Sequence, residues 1–477
     1  MRMSAVGLFF KRMNELTINL KPKDQRPLYE QIYLYIKENI ISGKLAYREK
    51  LPSTRLLAKH LEVSRSTVEL AYEQLLSEGY IESEPCRGFF VAQVEGLYHL
   101  IHEKTPGSEK RTEKKERYRF DFTPNGVDLK SFPYNVWRKL SKDILMDDKV
   151  ELFRLGNPQG EKGFREAIRK YLYQARGVNC SPEQIIVGAG SDYLLMLLCS
   201  ILGREHTIAV ENPSYKQAYR LFVSQSYRVL PIEMDGYGMK VTILKDTEAD
   251  VAYVTPSHQY PTGIVMPMKR RMELLRWANE AEGRYIIEDD YDSEFRYKGK
   301  PIPALQGYDR GGKVIYLGTF SKSIAPAIRM SYMVLPKELT DVYLDKCGFI
   351  NSTVSVVDQM IVRHFVEDGY YERHLNKTRA LYKGRHDLLI KGLAPLADAC
   401  RISGEHAGVH LLLTFGGKAT EEDLIKRAKR AGIRVYGLSD YIIGERDEKA
   451  TVLLGYANMS EEEIEEAAKI LCRVWKP

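Results

Sequence analysis

The position that speaks most directly of chemistry is a lysine in a turn of small and polar residues. The string runs Gly318-Thr319-Phe320-Ser321-Lys322-Ser323-Ile324-Ala325-Pro326-Ala327-Ile328-Arg329 and follows the apolar run Val314-Ile315-Tyr316-Leu317. A lone lysine at a strand end is usually a solvated cation. This one has neighbours suited to more. A lysine amine condenses with an aldehyde to form an imine, and Thr319, Ser321 and Arg329 offer two hydroxyls and a cation to a phosphate.

A second string, Ile286-Ile287-Glu288-Asp289-Asp290-Tyr291-Asp292, closes another apolar run. A pyridine aldehyde draws electrons well only when a carboxylate keeps its ring nitrogen protonated, a task for Asp289 or Asp290. Tyr291 is placed to donate to a ring phenolate oxygen. A magnesium loop is the competing use of these carboxylates, but no GxxxxGK[ST] phosphate loop accompanies them. Three weaker strings fit the same purpose. Gly188-Ala189-Gly190-Ser191-Asp192-Tyr193 opens an apolar helix and forms a seat of backbone N–H groups for an anion. Glu211-Asn212-Pro213-Ser214-Tyr215 presents an aromatic ring for stacking. Thr255-Pro256-Ser257-His258-Gln259-Tyr260-Pro261-Thr262-Gly263 reads as a rigid polar loop after a strand. Together these are the parts a pyridoxal 5′-phosphate (PLP) site requires, with Lys322 as the imine-forming residue.

The elements that must position them are apolar runs at 184–190, 207–213, 250–256, 284–290 and 313–321, alternating with helical patterns. That alternation predicts an α/β domain with a mostly parallel sheet covered by helices. Residues 26–92 differ, with dense helical periodicity. Leu28, Ile32, Tyr35, Ile36 and Ile40 mark a helix over residues 27–42, ended by Gly43. Ser53 caps a helix with Leu56, Leu57 and Leu61 inward. After a short turn, a third helix starts at Ser64 and buries Val68, Ala71, Tyr72, Leu75 and Leu76. The segment from Tyr80 to Gln93 then forms a hairpin with its tip at Pro85-Cys86-Arg87-Gly88. Helix–turn–helix plus hairpin is a winged helix, which presents the polar start of its last helix to the DNA major groove. Here that start is Ser64-Arg65-Ser66-Thr67, with Arg55 one element earlier and Arg87 and Gly88 at the wing tip.

Composition agrees with two domains. The chain has 477 residues, 44% hydrophobic and 28% charged, with a net charge of +7. Residues 1–95 hold 14 Lys and Arg against 12 Asp and Glu, so any DNA contact depends on where the cations sit. No apolar run is long enough to span a membrane. The six cysteines are scattered, with no CxxC pair and no metal-ligand spacing, as in a cytoplasmic protein with reduced thiols and no metal site. The expected organisation is a leader over 1–25, a winged helix over 26–95, a charged linker over 96–119 and an α/β domain over 120–477, with a small subdomain from about 340.

The segment LPSTRLLAKHLEVSRSTVELAYEQLLSEGYI with RGFFV closely resembles the DNA-binding domain of the GntR family of bacterial regulators. The resemblance implies that Arg55, Ser64, Arg65, Ser66, Thr67, Arg87 and Gly88 meet double-stranded operator DNA. The five strings from Gly188 onward resemble, in this order, the fold-type I aminotransferase family. There Lys322 carries PLP and Asp289 faces the pyridine nitrogen. Tyr291 meets the phenol oxygen, Tyr215 stacks on the ring, and Gly190, Ser191, Thr319, Ser321 and Arg329 hold the phosphate. Two positions depart from the pattern. Tyr260 stands where these enzymes have asparagine before Pro-Thr-Gly, so that hydrogen bond comes from His258, Gln259 or Tyr291, or is missing. The strand TVLLGYANMS lacks the arginine that clamps a substrate carboxylate, leaving Arg434 as the substitute. The fusion of both halves resembles the MocR/GabR subfamily of transcription regulators. It implies a head-to-tail homodimer that senses an amine, an amino acid or a vitamin B6 compound. The competing expectation is a working aminotransferase that also binds DNA.

Overall fold

The computed structural model describes residues 18, 20–21, 26–93, 118–146, 150–297, 302–404, 407–444 and 449–476. Most of the expected leader and linker lie outside the described residues. The chain divides into two compact units, residues 1–115 and 116–477.

In the first unit, α1 (Leu28–Ile41), α2 (Thr54–His60) and α3 (Arg65–Ser77) precede a hairpin of β1 (Ile81–Glu84) and β2 (Gly88–Val91). Capping fixes where the helices begin. Ser53 Oγ accepts from the Leu56 N–H at 3.3 Å, and Ser64 Oγ from the Thr67 N–H at 3.2 Å. The apolar stripes meet in one core of Ile32, Ile36, Leu57, Val68, Tyr72 and Leu75, closed by Ile81 and Val91 of the hairpin. Leu56, Leu61 and Leu76, expected inward, are only partly buried. α2 has just seven residues, so it turns a narrow face, Leu57 and Ala58, to the core. The hairpin pairs Ile81 with Val91 and Glu84 with Gly88. Residues 48–51 add an unforeseen third edge: the Arg48 N–H donates to Val91 O at 3.0 Å and the Leu51 N–H to Phe89 O at 2.9 Å.

The second unit is α/β. It starts with β3 (Phe120–Asp121), α4 (Tyr134–Leu145) and α5 (Lys162–Arg176). Next come β4 (Ile185–Gly188), α6 (Ser191–Leu202), β5 (Thr207–Asn212), α7 (Lys216–Ser224), β6 (Arg228–Asp235), β7 (Gly238–Met239), α8 (Val241–Lys245), β8 (Val251–Val254), α9 (Met268–Asn279), β9 (Tyr285–Asp290), β10 (Val314–Thr319) and β11 (Ser331–Val334). Strands β4 to β11 form one eight-stranded sheet in the order β4-β11-β10-β9-β8-β5-β6-β7. From β10 to β6 all pairings are parallel. β11 runs antiparallel to both neighbours, and β7 antiparallel to β6. All four residues of β8 are buried, because helices cover both faces; this is why the strands read as continuous apolar runs.

The chain continues with α10 (Lys337–Lys346), α11 (Val356–Glu367) and α12 (Tyr370–Leu393), then β12 (Cys400–Ser403), β13 (His410–Phe415), α13 (Glu421–Arg430), β14 (Ile433–Arg434), β15 (Tyr436–Gly437), β16 (Thr451–Gly455) and α14 (Glu461–Trp475). A smaller sheet, β12-β13-β16-β15, carries its own core with Leu411, Val452, Leu454, Leu471 and Trp475. β14 pairs with β3, so the start of the unit is drawn into this C-terminal layer. α12 joins the layers: Tyr371 and Leu375 pack in the core of the large sheet, while Tyr382 and Leu389 pack in the core of the small one. No helix of the described residues is long and apolar enough to cross a membrane.

Candidate functional site

A cavity of about 260 Å³ opens where β8, β9 and β10 end. Loops leaving the carboxyl ends of parallel strands are the usual place for a site in such a sheet. The wall brings together Ser191, Tyr215, Asp289 and Tyr291 with Thr319, Ser321, Lys322 and Arg329. These come from four of the five strings; the fifth contributes Thr255 and Tyr260.

Lys322 sits in the turn between β10 and β11. The turn is pinned by the Phe320 N–H to Met330 O at 2.9 Å and the Ser321 N–H to Thr319 Oγ1 at 3.1 Å. Lys322 Nζ donates to Asn125 Oδ1 at 3.0 Å. Burial disfavours its ammonium and pushes the pKa down to about 8, against the pull of the Asp292 carboxylate. Roughly a tenth of such an amine is neutral at pH 7, against about one part in three thousand for an ordinary lysine. It is therefore a competent nucleophile near neutrality.

An anion seat lies on the same wall. Gly190 precedes the first turn of α6, with φ of +98°. A Cβ there would stand 2.3 Å from the Arg329 Nη2, so only glycine lets the guanidinium close over the helix start. Arg329 itself has a left-handed backbone, φ +47°, which costs a non-glycine residue about 1–2 kcal/mol. Among the described residues its ion pair is with Asp192 at 3.2 Å, half-exposed on both sides. Ser321 Oγ is buried without a hydrogen-bond partner. A helix start, a half-exposed guanidinium and an orphan hydroxyl together fit a phosphate.

Strand alternation separates the two aspartates of β9. Asp290 points away from the cavity into a buried pair with Arg176 Nε at 2.8 Å and also accepts from the Tyr316 hydroxyl at 2.5 Å. Asp289 faces the cavity and accepts from the Tyr253 hydroxyl. Burial raises its pKa to about 6, while the Tyr253 hydrogen bond holds it down. It remains mostly ionised at neutral pH, as a partner for a protonated ring nitrogen must. The orphan Ser321 hydroxyl, the glycine cradle and this carboxylate thus fit PLP.

Other predicted residues lie elsewhere. His258 does not line the cavity; it is buried behind Tyr291, with Nδ1 2.9 Å from Asp292 Oδ2. Arg434 is not brought to the cavity either. It is half-exposed on β14, 3.5 Å from Asp121 Oδ2 and 5.1 Å from the Tyr436 ring centroid, because the β3–β14 pairing gives it a local partner. Gln259 turns inward, with Nε2 donating to Pro213 O at 2.9 Å. Four residues went unnoticed in the sequence: Asn125, Gln217, Tyr253 and Tyr441. Asn125 and Gln217 line the cavity, Tyr253 holds Asp289, and the Tyr441 hydroxyl is 3.2 Å from that of Tyr260. Tyr253 was findable, since it lies two residues before Thr255 in a buried strand where a hydroxyl needs a partner. Asn125 sits in an irregular turn that carries no pattern.

The first unit presents its candidate DNA surface at the start of α3. Ser64, Arg65 and Ser66 are exposed and Thr67 partly so. Ser64 Oγ lies 2.9 Å from Ser66 Oγ and 2.7 Å from Thr67 Oγ1, a tight cluster of hydroxyls around the helix start. Arg65 pairs with Glu69 at 2.7 Å and Arg87 with Glu84 at 2.5 Å, both arginines largely exposed. Exposed pairs of this kind are worth about 1 kcal/mol or less, so phosphates displace them readily. Arg55 is exposed on α2, and Gly88 begins β2 with φ of +112°. Lys50 and Arg48, on the third edge of the wing, add cations that the sequence reading did not single out. Among the described residues no group of three or more His, Cys, Asp or Glu side chains is disposed to hold a metal ion.

Comparison with known proteins gives two family matches: the aminotransferase class I and II family over residues 124–471, and the bacterial regulatory proteins of the gntR family over residues 28–91. The chain is 40% identical over 453 residues to an uncharacterized HTH-type transcriptional regulator of Bacillus subtilis, YdeL, covering 94% of this chain and 97% of that one. It is 31% identical over 462 residues to the probable rhizopine catabolism regulatory protein MocR of Rhizobium meliloti, covering 93% of each. Identity with the pyridoxine biosynthesis regulator PdxR of Corynebacterium glutamicum is 28% over 454 residues, 94% of this chain and 96% of that one. Among solved structures, the kynurenine aminotransferase of Pyrococcus horikoshii superposes with a TM-score of 0.67 at 27% identity, over 76% of this chain and 91% of that one.

Proposed function

Because this chain belongs to the MocR/GabR subfamily of GntR-type transcription regulators, whose aminotransferase-like domain is of a PLP-dependent family, we propose that it senses a small amine at Lys322 and answers at an operator. One observation carries the reading: a single cavity holds a lysine whose pKa burial pushes down to about 8, a buried carboxylate and an anion seat.

When bound, PLP supplies an aldehyde that captures primary amines and a ring that withdraws electrons. Lys322 receives the aldehyde, and its lowered pKa keeps part of it ready to do so. Asp289 holds the ring nitrogen's proton. Gly190, Ser191, Thr319, Ser321 and Arg329 receive the phosphate, while Tyr215 covers the ring and Tyr291 meets its oxygen. The effector is a primary amine, an amino acid or a B6 compound. Asn125 and Gln217, neutral and on the cavity wall, meet whatever part of it extends beyond the amine. Arg434 is set aside as a carboxylate clamp on its Asp121 pairing.

On the DNA side, Arg65 reads or grips the major groove from the start of α3, with Arg55 on a flanking phosphate and Arg87 and Gly88 at the wing. Operator and effector are linked through a head-to-tail homodimer in the cytoplasm. Exposed Val150, Phe153 and Leu155 supply apolar surface for pairing, and all six cysteines are free thiols. A coupling of about 1–3 kcal/mol between the sites would change operator affinity 5- to 150-fold.

The test is borohydride trapping after incubation with PLP, followed by peptide mapping. The adduct is expected on Lys322. Its rate of formation should rise about tenfold per pH unit below pH 8 and level off above, the mark of an amine titrating there. An adduct on another lysine would overturn the assignment. Steady keto-acid production from amino donors and 2-oxoglutarate at enzyme-like rates would favour the aminotransferase reading instead.

A further inference from the structure

Behind Tyr291 lies a buried pair that the cavity does not touch. His258 is on the loop after β8, and Asp292 follows β9. Their side chains are 2% and 1% exposed. His258 Nδ1 stands 2.9 Å from Asp292 Oδ2, 3.1 Å from Asp292 Oδ1 and 2.9 Å from the Tyr291 hydroxyl. One nitrogen thus faces three oxygens, and it carries at most one proton.

Electrostatics decides whether it does. With Nδ1 bare, its lone pair would confront the carboxylate directly. The proton would then sit on Nε2, which is buried with no acceptor. With the proton on Nδ1, Asp292 accepts it, and in the neutral ring Nε2 keeps only an unsatisfied lone pair, the less costly vacancy. Nδ1 therefore cannot accept from Tyr291. The phenol keeps its own hydrogen for another acceptor, and Tyr291 lines the cavity.

The ring has little freedom to choose otherwise. A Cβ on Gly408 would come within 2.0 Å of His258 Cε1, and one on Gly263 within 3.4 Å of Nε2. His410, its neighbour at 5.6 Å between ring centroids, has its pKa pushed down to about 4 by burial and by His258, so it is neutral near pH 7. Position 260 offers no side-chain amide, and the Tyr260 hydroxyl is engaged with Tyr441. Asp289 and Tyr253 also face Tyr291, and Lys322, Glu294, Tyr297 and Tyr456 face Asp292.

We propose that Asp292 and His258 are positioning residues that make Tyr291 a committed hydrogen-bond donor to the ring oxygen of the cofactor at Lys322. The inference rests on the reading of Lys322 as the PLP lysine. A donor on that oxygen favours its anionic form and holds down the pKa of the nitrogen joined to Lys322; losing the donor raises it.

The measurement is the pH midpoint of the visible absorption of the PLP-loaded full chain. Tyr291→Phe should raise the midpoint by about one unit, the size of one hydrogen bond to a charged group. His258→Leu should raise it similarly. His258→Asn, whose amide N–H falls near the Nδ1 position, should titrate close to the parent. The double variant His258→Leu/Tyr291→Phe should match Tyr291→Phe alone, since His258 acts through the phenol. Should His258→Leu fail to fold, His258→Gln replaces it, because its amide reaches the Nε2 position and leaves Nδ1 empty. A Tyr291→Phe or His258→Leu protein that titrates like the parent overturns the proposal, as do shifts that add in the double variant. A parent chain that forms no adduct at Lys322 overturns the underlying reading instead, so the two failures are distinct.

Discussion

The start of α3 and the Lys322 cavity are built on opposite plans. At α3, four consecutive residues make the surface, and a single serine cap sets them. In the cavity, the contributors run from Asn125 to Arg329 and are assembled by the register of a sheet. The ion pairs differ in the same way. Arg65–Glu69 is exposed and exchangeable, whereas Arg176–Asp290, behind the cavity wall, is sealed at 5% and 2% exposure; on the wall itself Arg329–Asp192 stays half-exposed. A surface meant to meet a changing partner is held loosely. A pocket meant to hold one group is held by its surroundings.

Substitutions can break or sharpen this contrast. The largest effect is expected from Lys322→Ala, which should abolish the borohydride-trapped adduct altogether while cofactor-free DNA binding persists in a gel-shift assay. Loss of both would mean the two regions are not separable. Asp290→Asn leaves Arg176 as an unbalanced buried cation and should lower unfolding free energy by about 3–5 kcal/mol in denaturant titration. A change below 1 kcal/mol would put that pair in the same class as the exposed ones. Arg65→Ala should weaken operator binding by about 1–3 kcal/mol if it reads a base. If it grips only phosphate, the loss should be even across sequences, with the salt slope lower by about one. Its thermal stability should not change in either case. Ser64→Ala is the smallest, about 1 kcal/mol of stability from the lost cap, with a weaker effect on DNA.

How much of this was legible followed the same divide. The winged helix could be read almost residue by residue, because caps, stripes and turns are local signals. Its failures were at the edges, where Leu56 and Leu61 lie on a helix too short to bury a broad face, and where residues 48–51 join the wing without alternating polarity. In the large unit the strands and the lysine turn were visible, because buried parallel strands are uniformly apolar and the polar strings interrupt them. The choice between Asp289 and Asp290 came from the family resemblance alone, since the residue types leave it open and only the strand's facing decides which one meets the cavity. Asn125 was invisible because nothing local marks a turn whose partner is nearly two hundred residues away. Arg434 misled because a cation near the right sequence position gives no hint of the short β3–β14 pairing that claims it.

The reversed direction of β11 has a further consequence. β10 runs out to Lys322 and β11 returns from Arg329, so one hairpin carries both the nucleophile and the guanidinium. β11 then bonds to β4, matching Ser331 with Gly188 just before the helix-start glycine. The separation between amine and anion seat is thereby gauged by backbone ladders, like marks on a ruler. Asn125, Gln217 and Tyr441 hang from segments outside that ladder. Changes at these three positions therefore leave the span from amine to anion seat untouched.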